Sequence, residues 1–259
     1  YKLFIFSIAV ALILAFVKNF NSIPIYKVSS SVLIKENKDA SNSNSMNDYL
    51  NSSLFGDNQN LQNELWVLQS LPVIEKTVKN INLSVSYFRK VDFKHIDAYK
   101  SAPFRVLFSP SHIQPLNVRF HIVFNNSGNF EIKAEGEKVN FYDFDNEEYK
   151  YQKESWSFRT IGTIGKLIET PDLAFIIAVD SNRKISDEEA SIYSFEFKDQ
   201  NSIARSFKGR FSFDVIDPKA TVVEISFLTE SVAKGKDVVN ELMKVYSNQN
   251  LERKNHIAS

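Results

Sequence analysis

The chain has 259 residues, and none of them is cysteine. This excludes disulfide bonds, thiolate metal sites and cysteine nucleophiles. Glycine is also scarce, at 7 residues, which argues against glycine-rich phosphate-binding loops. Basic and acidic residues balance at 31 each, so the composition gives no electrostatic argument for a nucleic acid partner.

Phenylalanine, in contrast, is abundant, with 22 residues. Many phenylalanines and few glycines are typical of strand-rich packing around aromatic cores. The length suits one large domain or two small ones. From composition alone we therefore expect a protein rich in strands with a sizeable core.

One long apolar run stands out at the start, Leu3–Val17, in which Ser7 is the only polar residue. An exposed helix of this composition would present apolar side chains on all sides, so the run must be a membrane anchor, a signal peptide or a helix buried in a core. No A-x-A-like cleavage site follows, which argues against the signal peptide. We predict a membrane helix over residues 1–20; because fifteen residues span about 22 Å of a hydrocarbon core of about 30 Å, we expect the natural span to begin before Tyr1.

Helical patterns and one strand pattern lie towards the two ends of the chain. Apolar residues alternate from Tyr26 to Ile34, which predicts a half-buried strand directly after the anchor. Residues 36–63 are rich in Asn and Ser, and residues 37–45 predict a loop. Two short helices are predicted over 61–71 and from Pro72 to about 83, and a long amphipathic helix over 231–257.

Between these ends, from Phe88 to about Ile216, the pattern predicts one strand after another. The clearest pair is Asn117–Phe124 and the segment around Phe130–Ala134, which flank the turn cluster at residues 125–128. Several short strands with turn signals favour a sandwich or jelly-roll-like unit. The predicted fold class is α+β: a membrane helix, a small α/β domain formed by both chain ends, and a β-rich insertion.

Residues for catalysis or ligand binding are hard to find in the sequence. Gly162–Lys166 has two residues between its glycines where a phosphate loop needs four, so we interpret it as a turn between strands. The acidic cluster at residues 143–148 lacks the glycine of a calcium loop and predicts a solvated turn. The four histidines show no metal-ligand spacing (His95, His112, His121 and His256), and we interpret His121 as an ordinary surface residue on the outward side of its strand. No catalytic, cofactor-binding or metal-binding residue is predicted.

Several segments, in this order, are similar to a known family: Tyr26–Ile34, Asn63–Val78, Val238–Tyr246 and Asn250–Lys254. Together with the apolar run they resemble the Wzz-type chain-length determinant domain of polysaccharide co-polymerases. Tyr99–Phe104 and Gly165–Thr170 resemble the variant with a β-rich insertion, found in bacterial tyrosine autokinases for exopolysaccharide and capsule export. The resemblance covers nearly the whole chain, although the long helix lacks the Asp-Pro start that is common in the family.

The resemblance implies three regions: a membrane helix (1–20), a Wzz-type domain (21–90 plus 217–259) and a β-rich insertion (91–216). It implies a location at the bacterial inner membrane, with residues after about 20 in the periplasm and a second membrane helix beyond residue 259. The implied partners are the lipid bilayer, further copies of the chain in a homo-oligomer, and the polysaccharide polymerase and export machinery. No cofactor is expected in this segment; ATP and magnesium would belong to a kinase domain outside it.

Two functions follow from these expectations. The first is a scaffold that regulates polysaccharide chain length or export by oligomerising, without chemistry in this segment. The second is a membrane-tethered glycan-binding module. Its β-rich insertion would bind a sugar polymer through exposed aromatic side chains, namely Tyr142, Tyr149, Tyr151 or Trp156. Packing in the core or at a sheet edge is the alternative role for these aromatics.

Overall fold

The computed structural model describes residues 1–34, 57–125, 128–179, 185–186, 189–217 and 221–257, so the loop predicted over 37–45 lies outside the described residues. The helices are α1 (Lys2–Asn21), α2 (Asp57–Leu68), α3 (Leu71–Asn80), α4 (Gln200–Lys208) and α5 (Val232–Ile257). The strands are β1 (Tyr26–Leu33), β2 (Val85–Val91), β3 (Lys94–Asp97), β4 (Phe104–Leu107), β5 (Gln114–Pro115), β6 (Phe120–Phe124), β7 (Asn129–Asp143), β8 (Glu148–Thr163), β9 (Leu167–Thr170), β10 (Leu173–Val179), β11 (Tyr193–Phe197), β12 (Phe211–Asp217) and β13 (Val222–Thr229).

The predicted membrane helix is wrong. The apolar run forms α1, but among the described residues no helix is both long enough and apolar enough to cross a membrane. The physical reason is length, because the fifteen-residue run Leu3–Val17 rises only about 22 Å before the polar residues Lys18, Asn19 and Asn21 follow. The fold class is corrected to an α+β protein with several antiparallel sheets, in whose described part no helix can span a membrane. The predicted inner-membrane location, with its periplasmic side, is overturned by the same finding.

The chain divides into two compact units. The helix-rich unit comprises Tyr26–Val85 and Lys198–Ser259, and the sheet-rich unit comprises Tyr1–Ile25 and Ser86–Phe197. Each is built around a separate core.

The helix-rich unit is organised around a three-stranded antiparallel sheet in the order β1-β13-β12. The central strand β13 buries Val223, Ile225 and Phe227, which alternate with residues on the other face. That other face is polar, with a Ser29–Ser226 hydrogen bond and a Lys27–Glu224 ion pair. The alternation predicted for Tyr26–Ile34 is therefore confirmed, and it gives the sheet one face for the helices to cover.

The helices of this unit supply the rest of its core. Helix α3 begins at Leu71 with Pro72 in its first turn, as predicted, and the cap residue Ser70 makes no side-chain capping bond. The long helix α5 buries Val238, Val239, Leu242, Val245 and Tyr246. Its partner α2 is joined to it by a hydrogen bond of 2.6 Å from the Tyr246 hydroxyl to Glu64 Oε2. Burial and the negative charge of Glu64 raise the pKa of Tyr246, so this contact stays protonated at neutral pH.

The sheet-rich unit contains two sheets whose buried side chains include many phenylalanines. The larger sheet has the order β3-β2-β11-β6-β7-β5 with β8 paired to β7, and the smaller has the order β4-β10-β9. Phe120 of the larger sheet stacks on Phe195 at a centroid distance of 4.8 Å and meets Phe175 of the smaller sheet edge-on at 5.8 Å. Fully burying a side chain of this kind contributes about 1.5–3 kcal/mol. Many of the phenylalanines in the sequence thus form the core between these two sheets.

The longest elements of this unit are the strands of the β7–β8 hairpin, with 15 and 16 residues. The sequence predicts only short pieces here, such as Glu137–Tyr142 and Trp156–Arg159. Residues 148–154 of β8 are exposed or half-exposed on both faces, so no alternation marks them as a strand. Their pairing with β7, which runs from Asn129↔Thr163 to Asp143↔Glu148, holds them in the sheet instead.

Candidate functional site

A group of basic side chains lies on the outer face of the larger sheet, where β6, β7 and β8 are neighbours. On β6, Phe120, Ile122 and Phe124 point into the core, so His121 between them is on the exposed side. The register pairs His121 with Lys133, and Lys133 with Arg159. Directly paired residues on one face have Cβ atoms about 5 Å apart, so the three side chains form one row across three strands.

This row lines a cleft of about 380 Å³. We call it the basic cleft and define it by its lining residues, which are Arg119, His121, Lys133, Ala134, Glu135, Ser157, Phe158 and Arg159. Its volume falls in the range of about 300–1,000 Å³ that is typical of small-ligand pockets. The cleft is large enough for one sugar unit or a similar small group.

Ion pairs hold the cations of the cleft in place. The Arg119 guanidinium donates to Glu196 Oε1 from Nε at 2.8 Å and from Nη2 at 2.6 Å, and it also lies over the Phe88 ring at 4.5 Å. Arg159 donates to Glu131 Oε1 at 2.7 Å, and Lys133 lies 3.4 Å from the same oxygen. Although desolvation opposes the effect, these hydrogen bonds lower the pKa of Glu131, so it stays ionised beside the cleft.

Two histidines meet at the edge of the cleft. The His95 ring on β3 packs edge-on against the His121 ring, with a centroid distance of 6.1 Å and an interplanar angle of 64°. Burial lowers the pKa of both imidazoles, and the positive charges of Arg119 and Lys90 lower it further. Both rings are therefore biased towards the neutral form.

Two buried polar atoms, one of them in this pair, have no hydrogen-bond partner among the described residues. They are His95 Nδ1 and Ser194 Oγ, and Ser194 is only 1% exposed. Ser194 is paired with His121 in the register of β11 and β6, so the two residues share a face of the sheet. Buried polar groups in proteins are nearly always hydrogen-bonded, so each of these two unpaired atoms needs an explanation.

The aromatic residues that the sequence offered for glycan binding do not form one exposed platform. Tyr142 and Trp156 are buried, at 3% and 7% exposure. Tyr151 stacks on Phe141 and donates a 2.7 Å hydrogen bond to Asp172 Oδ1, which, together with burial, raises its pKa to about 12. Tyr149 is 57% exposed, although its ring also packs edge-on against Tyr142. Packing therefore accounts for most of this set.

The other segments considered in the sequence serve turns. Asp143 closes the β7–β8 hairpin: its carboxylate accepts from the backbone N–H groups of Asp145 and Asn146 and from the Asn146 amide. Gly165, with φ of +79°, lies in the turn between β8 and β9, while Gly162 is within β8. His112 Nδ1 lies 3.0 Å from the Ile113 carbonyl oxygen, and His256 lies in helix α5. In the part of the chain that the structure describes, no three His, Asp or Glu side chains converge in a way that could hold a metal ion.

The basic cleft itself was missed in the sequence, where His121 was interpreted as an ordinary outward-facing residue. The outward position is confirmed, but the residues that surround His121 come from five strands. One signal was present, namely the turn cluster in the sequence at residues 125–128 between two strand patterns. In the structure β6 pairs with β7 so that Phe124 lies opposite Phe130 and His121 opposite Lys133. Nothing local in the sequence indicates the contact with His95.

Comparison with known proteins gives no further assignment: no family model matches this chain, and no curated protein matches its sequence.

Proposed function

We propose that this chain is an assembly module of the Wzz type, which regulates the chain length or export of a polysaccharide by self-association. The observation that supports the proposal is the pairing of strand β1 with β13 along their whole length, from Tyr26↔Thr229 to Leu33↔Val222. It joins a segment near the start of the chain to one near its end within the helix-rich unit. The rest of the argument is the order of motifs along the sequence.

The helix-rich unit also carries apolar surface suited to association between copies. Helix α2 buries Leu61, Leu65 and Leu68, yet Trp66 on the same helix is 73% exposed. On α5, the residues described beyond Tyr246 are exposed or half-exposed, and Leu251 is 56% exposed. Exposed tryptophan is a frequent anchor of protein interfaces. A second copy of the chain is the occupant that the proposal requires, with the polysaccharide polymerase and export machinery as further partners.

The test is the mass of the full chain in solution. It is measured by size-exclusion chromatography with light scattering, in a mild non-ionic detergent that covers the apolar side chains of α1. We expect a discrete oligomer, and we expect Trp66→Ser to weaken it by about 2 kcal/mol or more per interface, as loss of an aromatic anchor does. The matched control is Phe93→Ser, which removes another exposed aromatic side chain, at 90% exposure, from the turn between β2 and β3.

A monomeric wild-type chain at micromolar concentration would contradict the proposal. An oligomer that Trp66→Ser and Phe93→Ser weaken equally would also contradict the proposal. Association would then be nonspecific and hydrophobic and would not depend on a defined surface.

The second candidate function is glycan binding, and the basic cleft is the observation that favours it. The cleft changes the expected chemistry, because its functional groups are cations and imidazoles instead of a platform of aromatic rings. Neutral sugars are commonly bound by aromatic stacking, whereas a cationic cleft suits a sugar that carries an acid group.

A further inference from the structure

The charge around the basic cleft favours an anion. Three cations line the cleft, namely Arg119, Lys133 and Arg159, and Lys90 lies near its histidines. The carboxylates beside these cations are Glu131, Glu135 and Glu196. With both imidazoles neutral, the group carries an excess of one positive charge. A single carboxylate would balance it, whereas a phosphate dianion would leave it negative.

The cations also keep donors for a ligand. Arg119 uses Nε and Nη2 in its pair with Glu196, and a guanidinium has five N–H groups in all. Arg159 and Lys133 share one oxygen of Glu131, and their side chains are 71% and 56% exposed. The site is therefore positioned by ion pairs while its cationic groups remain accessible.

The groups that carry the argument are those that line the cleft. His95 Nδ1 and Ser194 Oγ lack partners among the described residues, but both atoms are buried and neither residue lines the cleft. A bare divalent cation is disfavoured here, because Lys90 and Arg119 repel it from the two imidazoles.

Apolar side chains border the cleft on the same face. Val123, two residues after His121 on β6, is 43% exposed, and Ile161, two residues after Arg159 on β8, is 77% exposed. The register places both opposite Glu131 on the intervening strand. A pyranose ring has one polar edge and apolar C–H faces, so a surface that combines cations with aliphatic side chains matches it.

We infer that the basic cleft binds the carboxylate of a uronic acid unit in an acidic polysaccharide. The inference rests on the proposed function, which supplies polysaccharide as the class of ligand. The cations that line the cleft contact the carboxylate.

Binding is coupled to protonation of the histidine pair. The groups that face the pair are Lys90 on β2, Arg119 directly before β6, Glu135 on β7 and Glu196 on β11. A bound carboxylate adds a negative charge next to the imidazoles and so raises the pKa of both, and by linkage the ligand binds more tightly as the pH falls. An uncharged sugar has no such effect.

The test is isothermal titration calorimetry of the full chain with oligogalacturonate. The comparison ligands are a neutral galactose oligomer and inorganic phosphate, and the variants are Lys133→Gln and Arg159→Gln, whose exposed side chains can be changed without loss of the fold. The control is Lys236→Gln, which removes an exposed lysine of helix α5. We expect oligogalacturonate to bind about fivefold more weakly to each cleft variant, which corresponds to the loss of one solvent-screened charge contact, and equally well to the control.

A fall in pH from 8 to 6 should tighten oligogalacturonate binding at least about threefold in the wild type, and His121→Gln should reduce this dependence. Absence of binding, equal affinity for the neutral oligomer, binding of phosphate alone, or unchanged affinity in Lys133→Gln and Arg159→Gln would overturn the inference. If the chain forms the expected oligomer but binds no oligogalacturonate, the inferred ligand is wrong, whereas the proposed assembly function is not contradicted.

Discussion

Gly235 is the residue on which the packing of helix α5 against strand β1 depends most directly. A Cβ atom at this position would lie 2.6 Å from Val28 Cγ2 and 2.8 Å from Thr229 Cγ2. Both neighbours are short, β-branched side chains in the sheet, so neither can move aside at little cost. The helix can approach the sheet this closely only because the residue has no side chain.

We predict that Gly235→Ala destabilises the protein by about 1–3 kcal/mol, the usual cost of overpacking, despite the better helix propensity of alanine. The measurement is the free energy of unfolding in urea. Gly209→Ala is the matched control, since the nearest atom there would be 3.8 Å away and the residue has a right-handed helical conformation. Equal effects at the two positions would show that the close approach at Gly235 does not limit the packing.

Asp172 organises the contact between β8 and the turn before β10. Its carboxylate accepts hydrogen bonds from the Tyr151 hydroxyl, the Lys153 ammonium and the Trp156 indole N–H. We predict that Asp172→Ala costs about 1–3 kcal/mol, because it leaves the buried Trp156 donor unpaired, and that it changes the tryptophan fluorescence of the folded protein.

Asp145→Ala is the control for this variant, because Asp145 is an exposed residue of the neighbouring hairpin turn. Its effect should stay within about 0.5 kcal/mol, as for most surface substitutions. If Asp172→Ala were equally mild, the three hydrogen bonds would not contribute to stability.

At the scale of elements, the β7–β8 hairpin is stabilised at its tip by the Asp143 turn. Hydrogen bonds from the Asn146 side chain and from the backbone N–H groups of Asn146 and Asp145 lower the pKa of Asp143 from 3.8 to about 2. A carboxylate whose pKa is lower in the folded state stabilises the protein above its unfolded pKa, and this contribution is lost as the pH falls through the folded pKa.

We therefore predict that the melting temperature of the wild type falls as the pH drops from about 4 to about 2, and that Asp143→Asn removes part of this fall. Thermal melts followed by circular dichroism at several pH values provide the measurement. Parallel curves for the two proteins would mean that the turn does not couple Asp143 to folding.

Elements with one buried face could be predicted from the sequence, and elements without one could not. Strand β1 has apolar residues at nearly every second position, and the helices α3 and α5 have them every three to four positions, because each element covers a core on one side. The first half of β8 is exposed on both sides and is held by its partner strand, so its sequence carries no period. The apolar run of α1 was wrongly predicted to be a membrane helix, because its apolar composition was given more weight than its short length.

The basic cleft could not be predicted from local sequence patterns either. Its residues are separated by up to 40 positions, from Arg119 to Arg159, and they meet only through the register of three strands. Register across the first hairpin follows from a turn signal, but register across the long second hairpin depends on a shift between Phe141 and Tyr142 that no local pattern indicates.

At the scale of the whole molecule, the proposal is that copies of the chain associate through the helix-rich unit, while the sheet-rich unit presents the basic cleft to the polymer. Each unit has a core of its own, so each surface can be changed without removing the other. Variants of Trp66 and of Lys133 should therefore separate assembly from ligand binding.

The most direct test of the central claim is the length distribution of the polysaccharide, measured by gel electrophoresis, in cells that lack the gene and are complemented with variants. The account predicts that the wild type and Phe93→Ser restore one defined range of lengths, and that Trp66→Ser gives shorter and more dispersed chains. A length distribution that is the same with and without the protein would contradict it.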